Sequence, residues 1–196
     1  MGVEYELKYA ATPEVLESLR LALSPTDTMQ MKTTYFDTAD HALSDRHITL
    51  RLRQENDLTV CTVKTPMGDD CRGDWECHCS DIHAGIVELC KLGAPQELLS
   101  LTATGVSPVC GAAFTRRLRL VDLGACTLEV ALDQGILMGG GQEIPLCELE
   151  VELKSGSQAH AQAFAAHLAR SYGLKTEPTS KFRRALALAR GDNHGL

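Results

Sequence analysis

No Cys-x-x-Cys pair occurs in this chain, although it holds eight cysteines among 196 residues. A structural zinc site draws on ligand pairs at close spacing. Cys77-His78-Cys79 is the densest cluster, but its two cysteines alternate onto one face of a strand and no second ligand pair joins them. Structural thiols are therefore expected rather than zinc. No apolar run approaches the roughly 20 residues that a membrane helix needs. No basic, then apolar, then small-residue pattern opens the chain, so no secretory signal is expected. Disulfides are then disfavoured, and most cysteines read as packing residues. Positive charge is also in short supply: 19 Lys and Arg face 26 Asp and Glu, for a net charge of −7. Nucleic-acid binding needs concentrated positive charge, so a broad phosphate-backbone surface is not expected, whereas a small internal basic site is compatible. The expectation is a soluble cytoplasmic protein with no nucleic-acid or membrane partner, either monomer or homodimer.

A hydrophobic fraction of 44% is enough for a real core. Length alone suggests one domain over residues 1–196. The pattern is mostly strands, expected at 3–9, 29–37, 47–54, 58–65, 72–80, 113–122, 125–133 and 143–153. Helices are expected from Pro13 to about Leu23, as a short pair within 83–102, at 157–172 and at 179–190. Thr179-Ser180 is the candidate cap of the last. Gly139-Gly140-Gly141 supplies the turn before the eighth strand. Few parallel-crossover signals appear, so an α+β protein with a mainly antiparallel sheet is expected.

Alternation sorts each strand into two faces. Glu4, Glu6 and Lys8 share a face of the first strand. Arg51 and Arg53 share one in the third, Lys64 lies with Thr62 in the fourth, and Arg72, Asp74 and Glu76 align in the fifth. Glu129 and Asp133 align in the seventh, and Glu148, Glu150 and Glu152 in the eighth. A sheet with one solvated face alternates in the same way. Here, however, face after face holds long cations or several carboxylates. Three carboxylates in a row repel one another unless a cation sits among them, and paired arginines do likewise without an anion. A closed barrel with a charged lumen answers both demands, with helices covering its apolar outside. Oxygen-only carboxylate clusters suit Mg²⁺ or Mn²⁺. Clustered Arg and Lys suit phosphate.

Glu4-Tyr5-Glu6-Leu7-Lys8 resembles the ExExK signature of the CYTH superfamily, the triphosphate tunnel metalloenzymes. Leu50-Arg51-Leu52-Arg53, Val63-Lys64, Arg72 with Asp74, Arg116, Ala131-Leu132-Asp133-Gln134-Gly135, Cys147-Glu148-Leu149-Glu150-Val151-Glu152-Leu153 and Ser180-Lys181 with Arg184 follow in that family's order. The last two strand motifs are most similar to the bacterial inorganic triphosphatase branch. The resemblance implies a closed eight-stranded antiparallel tunnel, with helices packed outside, that binds triphosphate lengthwise. It implies a metal side of Glu4, Glu6, Asp133, Glu148 and Glu150, with Glu129 and Glu152 as second candidates. It implies a phosphate side of Lys8, Arg51, Arg53, Lys64, Arg72, Arg116, Lys181 and Arg184. Glu4, Glu6 and Lys8 form the expected catalytic group. The run Arg116-Arg117-Leu118-Arg119 does not alternate cleanly, so Arg117 and Arg119 stay open as substitutes for Arg116. Asp74 stands where the family more often has Glu. The implied activity is Mg²⁺- or Mn²⁺-dependent hydrolysis of inorganic triphosphate to pyrophosphate and phosphate. Thiamine triphosphate or a nucleoside triphosphate, adenylate cyclisation and a non-catalytic polyphosphate-binding module are the alternatives.

Overall fold

The computed structural model describes residues 5–66 and 72–192. The chain opens with β1 (Tyr5–Ala10), α1 (Pro13–Leu23) and β2 (Asp27–Asp37). A short 3-10 turn, Ser44–Arg46, leads to β3 (Thr49–Glu55), β4 (Leu58–Pro66) and β5 (Arg72–His78). Two short helices follow, α2 (Ile82–Lys91) and α3 (Glu97–Leu101). The long strands β6 (Ser107–Asp122), β7 (Cys126–Gly139) and β8 (Gln142–Gly156) precede α4 (Gln158–Tyr172), β9 (Lys175–Thr176) and α5 (Lys181–Arg190).

Local chemistry accounts for the helix ends. The Thr12 hydroxyl accepts from Val15 N–H ahead of Pro13, and Asp81, Ser157 and Ser180 cap α2, α4 and α5 in the same way. Gly173 ends α4 in the left-handed conformation at φ 64°, where a side chain would be strained. β6 starts at Ser107, six residues before the expected start. Gly111, Ala112 and Ala113 are poor strand formers, but they pair with both β2 and β7.

The strands form one sheet in the order β5-β4-β3-β2-β6-β7-β8-β1-β9, and every pairing is antiparallel. The expected closed eight-stranded barrel is not what the backbone hydrogen bonds make. Among the described residues the sheet has nine strands, and its edge strands β5 and β9 do not pair. β9 is two residues long and pairs with Tyr9 and Ala10 of β1.

Helices cover the apolar face in two groups. α2 and α3 pack Ile86, Leu89 and Leu98 on Leu50, Cys61, Val63 and Trp75. α1 and α4 pack Leu16, Leu19, Ala161, Ala165 and Leu168 on Leu128, Val130, Leu149 and Val151. The last helix departs from the expectation that all helices lie outside. Ala185 and Leu188 of α5 pack on Phe114, Leu137 and Leu146. Phe182 and Leu186 pack on Tyr35, with the Tyr35 and Phe182 rings 5.0 Å apart. By alternation Phe114 shares a face with Arg116, Leu137 with Asp133 and Leu146 with Glu148. Thus α5 lies on the charged face. Its cause is the apolar far end of that face, which needs a cover, and the apolar stripe on α5, which needs a partner. Gly139 permits the approach, since a Cβ there would stand 2.2 Å from the Ala185 carbonyl oxygen.

Candidate active site

The register of β6, β7 and β8 sets Arg116 beside Asp133 and Asp133 beside Glu148. Glu150 sits two residues along β8, opposite Lys8 of β1. Asp133 and Glu148 are fully buried and Glu150 is 8% exposed. One oxygen of each lies within 4.8 Å of the other two. Such a group of buried anions is unstable without cations. Three side chains supply them. Arg116 donates to Asp133 through Nε and Nη2, at 2.8 and 2.6 Å, and also to Glu150. Lys181, the first residue of α5, reaches Asp133 at 2.9 Å, Glu150 at 2.5 Å and Glu148. Arg184, one turn on, pairs with Glu148 and lies 3.6 Å from Glu177.

Burial alone would raise the Glu150 carboxyl, but Lys181 and Arg116 outweigh it and hold the group well below the usual range. Lys181 is raised in turn: burial opposes its charge, and Glu150, Asp133 and Glu148 prevail. Both remain ionised. Donor chemistry suits a hard divalent cation, because all three acids offer oxygen and none offers sulfur or imidazole.

A second wall sets cations beside acidic partners. Arg51 and Arg53 lie on one face of β3, each about one-sixth exposed, at 16% and 17% of the side chain. Arg53 pairs with Glu55, and Glu76 lies 3.8 Å from Arg51 and 3.9 Å from Arg53. Among the described residues, each arginine keeps a buried Nε–H without a hydrogen-bond partner. Burial and the adjoining Arg51 push Arg53 below its ordinary value, and Arg116 adds to that repulsion. Arg116 is therefore close enough for its charge to be felt at Arg53. An anion between the arginines relieves both the repulsion and the orphaned donors. Lys64 of β4 stands 2.8 Å from Asp74 of β5.

The family described as CYTH domain matches residues 2–186. The chain belongs to the CYTH domain family. It is 28% identical over 192 residues to the inorganic triphosphatase of Haemophilus influenzae, covering 94% of this chain and 54% of that protein. The chain thus spans about half the length of that curated relative. Two solved structures share the fold. One, a candidate adenylate cyclase from Bacillus halodurans, has a TM-score of 0.64 at 17% identity, covering 94% of this chain and 98% of its own. The other, a candidate adenylyl cyclase from Hippeastrum with a dominant triphosphatase activity, has a TM-score of 0.61 at 17% identity, covering 98% and 96%.

Within this CYTH chain, the expected site residues fall into three groups. Asp133, Glu148 and Glu150 come together, but so do Arg116, Lys181 and Arg184, three expected phosphate ligands that sit on the acids. Arg51, Arg53 and Lys64 line the other wall. Glu4 lies outside the described residues, and Arg72 opens β5 with a side chain that is likewise outside the description. Glu152 pairs in register with Glu6 and Glu129 and bonds Lys154 at 2.9 Å, so this row borders the buried group. Pairing also separates the three arginines of β6: Arg119 donates to the Leu23 carbonyl at the end of α1, while Arg116 alone reaches Asp133. Sequence reasoning misses Glu55 and Glu177 as counter-ions. Glu55 carries a signal, since it shares alternation with Arg53; Glu177 lies in a loop and carries none. No helix among the described residues is long and apolar enough to cross a membrane.

Glu6 supplies a pH prediction. Crowding by protein atoms and the Glu150 carboxylate push its carboxyl up to about 7, against the pull of Lys8, Lys181 and Arg116. The side chain is nevertheless solvent-exposed, so water screens much of this effect and the change in stability is small. A raised folded-state value means that the native state holds more protons than the unfolded chain between about 4.5 and 7. Metal-free protein should therefore lose stability as pH rises through that window. Denaturant titrations at pH 5 and pH 8 check this. Wild type should lose more stability than Glu6→Gln, and parallel losses would contradict the assignment.

Proposed function

We propose that residues 1–196 act as a single triphosphate tunnel domain that hydrolyses inorganic triphosphate to pyrophosphate and phosphate, with Mg²⁺ or Mn²⁺. One observation carries the reading: three buried carboxylates gather on one wall, while Arg53, near enough to Arg116 to feel its charge, and Arg51 keep buried Nε–H groups without partners among the described residues. The Haemophilus relative and the Hippeastrum protein, both bearing triphosphatase descriptions, support it.

In this reading Asp133, Glu148 and Glu150 would hold the metal, with Glu6 of β1 at its border; Glu4, outside the described residues, is assigned to the same metal side. Bound there, Mg²⁺ or Mn²⁺ would neutralise phosphoryl oxygens and lower the pKa of a water for attack. Arg51 and Arg53 grip the polyphosphate by forked hydrogen bonds, with Lys64, Arg72 and Lys8 adding positive charge. Arg116, Lys181 and Arg184 serve both walls. The two walls would form the sides of a tunnel, with α5 lying across the charged face.

Arg53→Ala tests the phosphate wall. Losing charge-assisted hydrogen bonds should raise the Michaelis constant for tripolyphosphate by roughly 10–100-fold, with a smaller change in turnover. An unchanged Michaelis constant and rate would remove Arg53 from the site.

The bare substrate is favoured over one with an organic group by the position of Trp75, the single tryptophan, buried under α2 and α3 on the opposite face. It is unavailable to stack a thiamine or a nucleobase. Retained carboxylates favour catalysis over simple polyphosphate binding. A panel of tripolyphosphate, thiamine triphosphate and ATP, scored by product with each metal and with chelator, decides among them. Fastest turnover of tripolyphosphate, yielding pyrophosphate, supports the proposal. Faster turnover of either organic substrate, or binding of all three without turnover, overturns it.

A further inference from the structure

We infer that Lys181 is a built-in counter-ion of the metal-free site: its ammonium holds the three carboxylates until a divalent cation replaces it, and it then turns to the polyphosphate. This inference rests on the triphosphatase reading above and adds an exchange step to it.

The geometry points to competition for the same oxygens. Lys181 Nζ contacts one oxygen each of Asp133, Glu148 and Glu150. Those same three residues form the described group able to hold a metal ion. An ammonium and a divalent cation cannot share so small a volume. Charge leads to the same conclusion. Three buried carboxylates already face three cations, Arg116, Lys181 and Arg184. Even with Glu177 counted beside Arg184, a divalent ion added without a departure would leave the cluster with surplus positive charge.

Lys181 is the cation best able to leave. Arg116 is fixed by two parallel bonds to Asp133, whereas Lys181 carries a compact charge on a flexible stem. Its place at the first turn of α5 sets it against the positive end of the helix dipole. The three carboxylates and the face of the Phe114 ring, 5.4 Å from Nζ, favour that position, and a metal would withdraw the carboxylates' pull. The helix itself need not move, because Phe182, Ala185, Leu186 and Leu188 anchor it on the apolar end of the same face. The swing is confined to one side chain. Its destination is the anion, since an unpaired buried ammonium is costly and a polyphosphate brings more negative charge than a divalent ion neutralises.

The exchange predicts effects of opposite sign from one substitution. Mn²⁺ binding, read as free Mn²⁺ by electron paramagnetic resonance, should be roughly tenfold tighter in Lys181→Met than in wild type when no polyphosphate is present, because a like charge has gone. With Mn²⁺ saturating, a non-hydrolysable imido analogue of tripolyphosphate should bind roughly tenfold more weakly to Lys181→Met, because a phosphate contact has gone. A merely structural lysine would not produce this reversal. Should the metal-free variant be too unstable to assay, thermal unfolding supplies the second measurement. Mn²⁺ should then raise its midpoint more than that of wild type, and a variant that Mn²⁺ fails to rescue overturns the exchange. Equal or weaker Mn²⁺ binding by a folded variant, or unchanged analogue affinity, also overturns it while leaving the triphosphatase reading intact. Absence of Mn²⁺ binding to wild type overturns both.

Discussion

Glu150→Gln should cut tripolyphosphate turnover by roughly 100–1,000-fold, on the scale of losing a group that stabilises developing charge at a reaction centre. Glutamine keeps the shape of the side chain and removes its charge. That charge is present throughout the working pH range, because Lys181 and Arg116 overcome the effect of burial and hold the group ionised. The loss therefore removes one-third of the negative charge of the three-carboxylate group. Circular dichroism separates lost chemistry from lost fold, and raised Mn²⁺ should recover part of the rate. A folded Glu150→Gln protein with wild-type turnover would exclude this wall as the metal side.

Glu148→Ala should act first on stability. Glu148 is fully buried and is met by both Lys181 and Arg184. Among the described residues, its removal leaves Arg184 with Glu177, 3.6 Å away, and deprives Lys181 of one of three anions. Breaking a buried ion pair from one side costs about 3–5 kcal/mol, because the remaining charge loses its compensation. For a chain of this size that corresponds to a fall in melting temperature of roughly 6–20 °C. Calorimetry of the metal-free protein reads it. A fall below about 1 kcal/mol, the range of exposed pairs, would show that the carboxylate is solvated rather than buried. Because α5 hangs on this residue through its first turn, the helix should loosen before the sheet does, and amide exchange in 181–190 would report it.

Alternation alone makes Glu148, Glu150 and Glu152 of β8 legible as one face, and the same rule gathers Glu129 and Asp133 on one face of β7, which pairing then sets beside them. The helix ends are legible as well, because Thr12, Ser157 and Ser180 are local signals that need no tertiary partner. What a sequence cannot carry is non-local. An apolar stripe on α5 requires a partner but does not say which face of the sheet provides it, and the helix takes the charged side. Arg116 can be told from Arg117 and Arg119 only by its strand register with Asp133. Closure of the sheet depends on whether its two edge strands meet, which no local pattern specifies. The expected division into an acidic side and a basic side is too clean for the same reason. Buried carboxylates recruit the nearest cations, and Arg116, Lys181 and Arg184 are within reach.

The carboxylate wall and the arginine wall, in the proposed function, together hydrolyse a bare triphosphate with a divalent metal. Phosphate release from tripolyphosphate, followed with Mg²⁺ or Mn²⁺ and then with excess chelator, tests this most directly. The account predicts rapid release of one phosphate per tripolyphosphate, with pyrophosphate as the other product, and its loss in chelator. Full activity in chelator, or none in either metal while tripolyphosphate is bound, would contradict it.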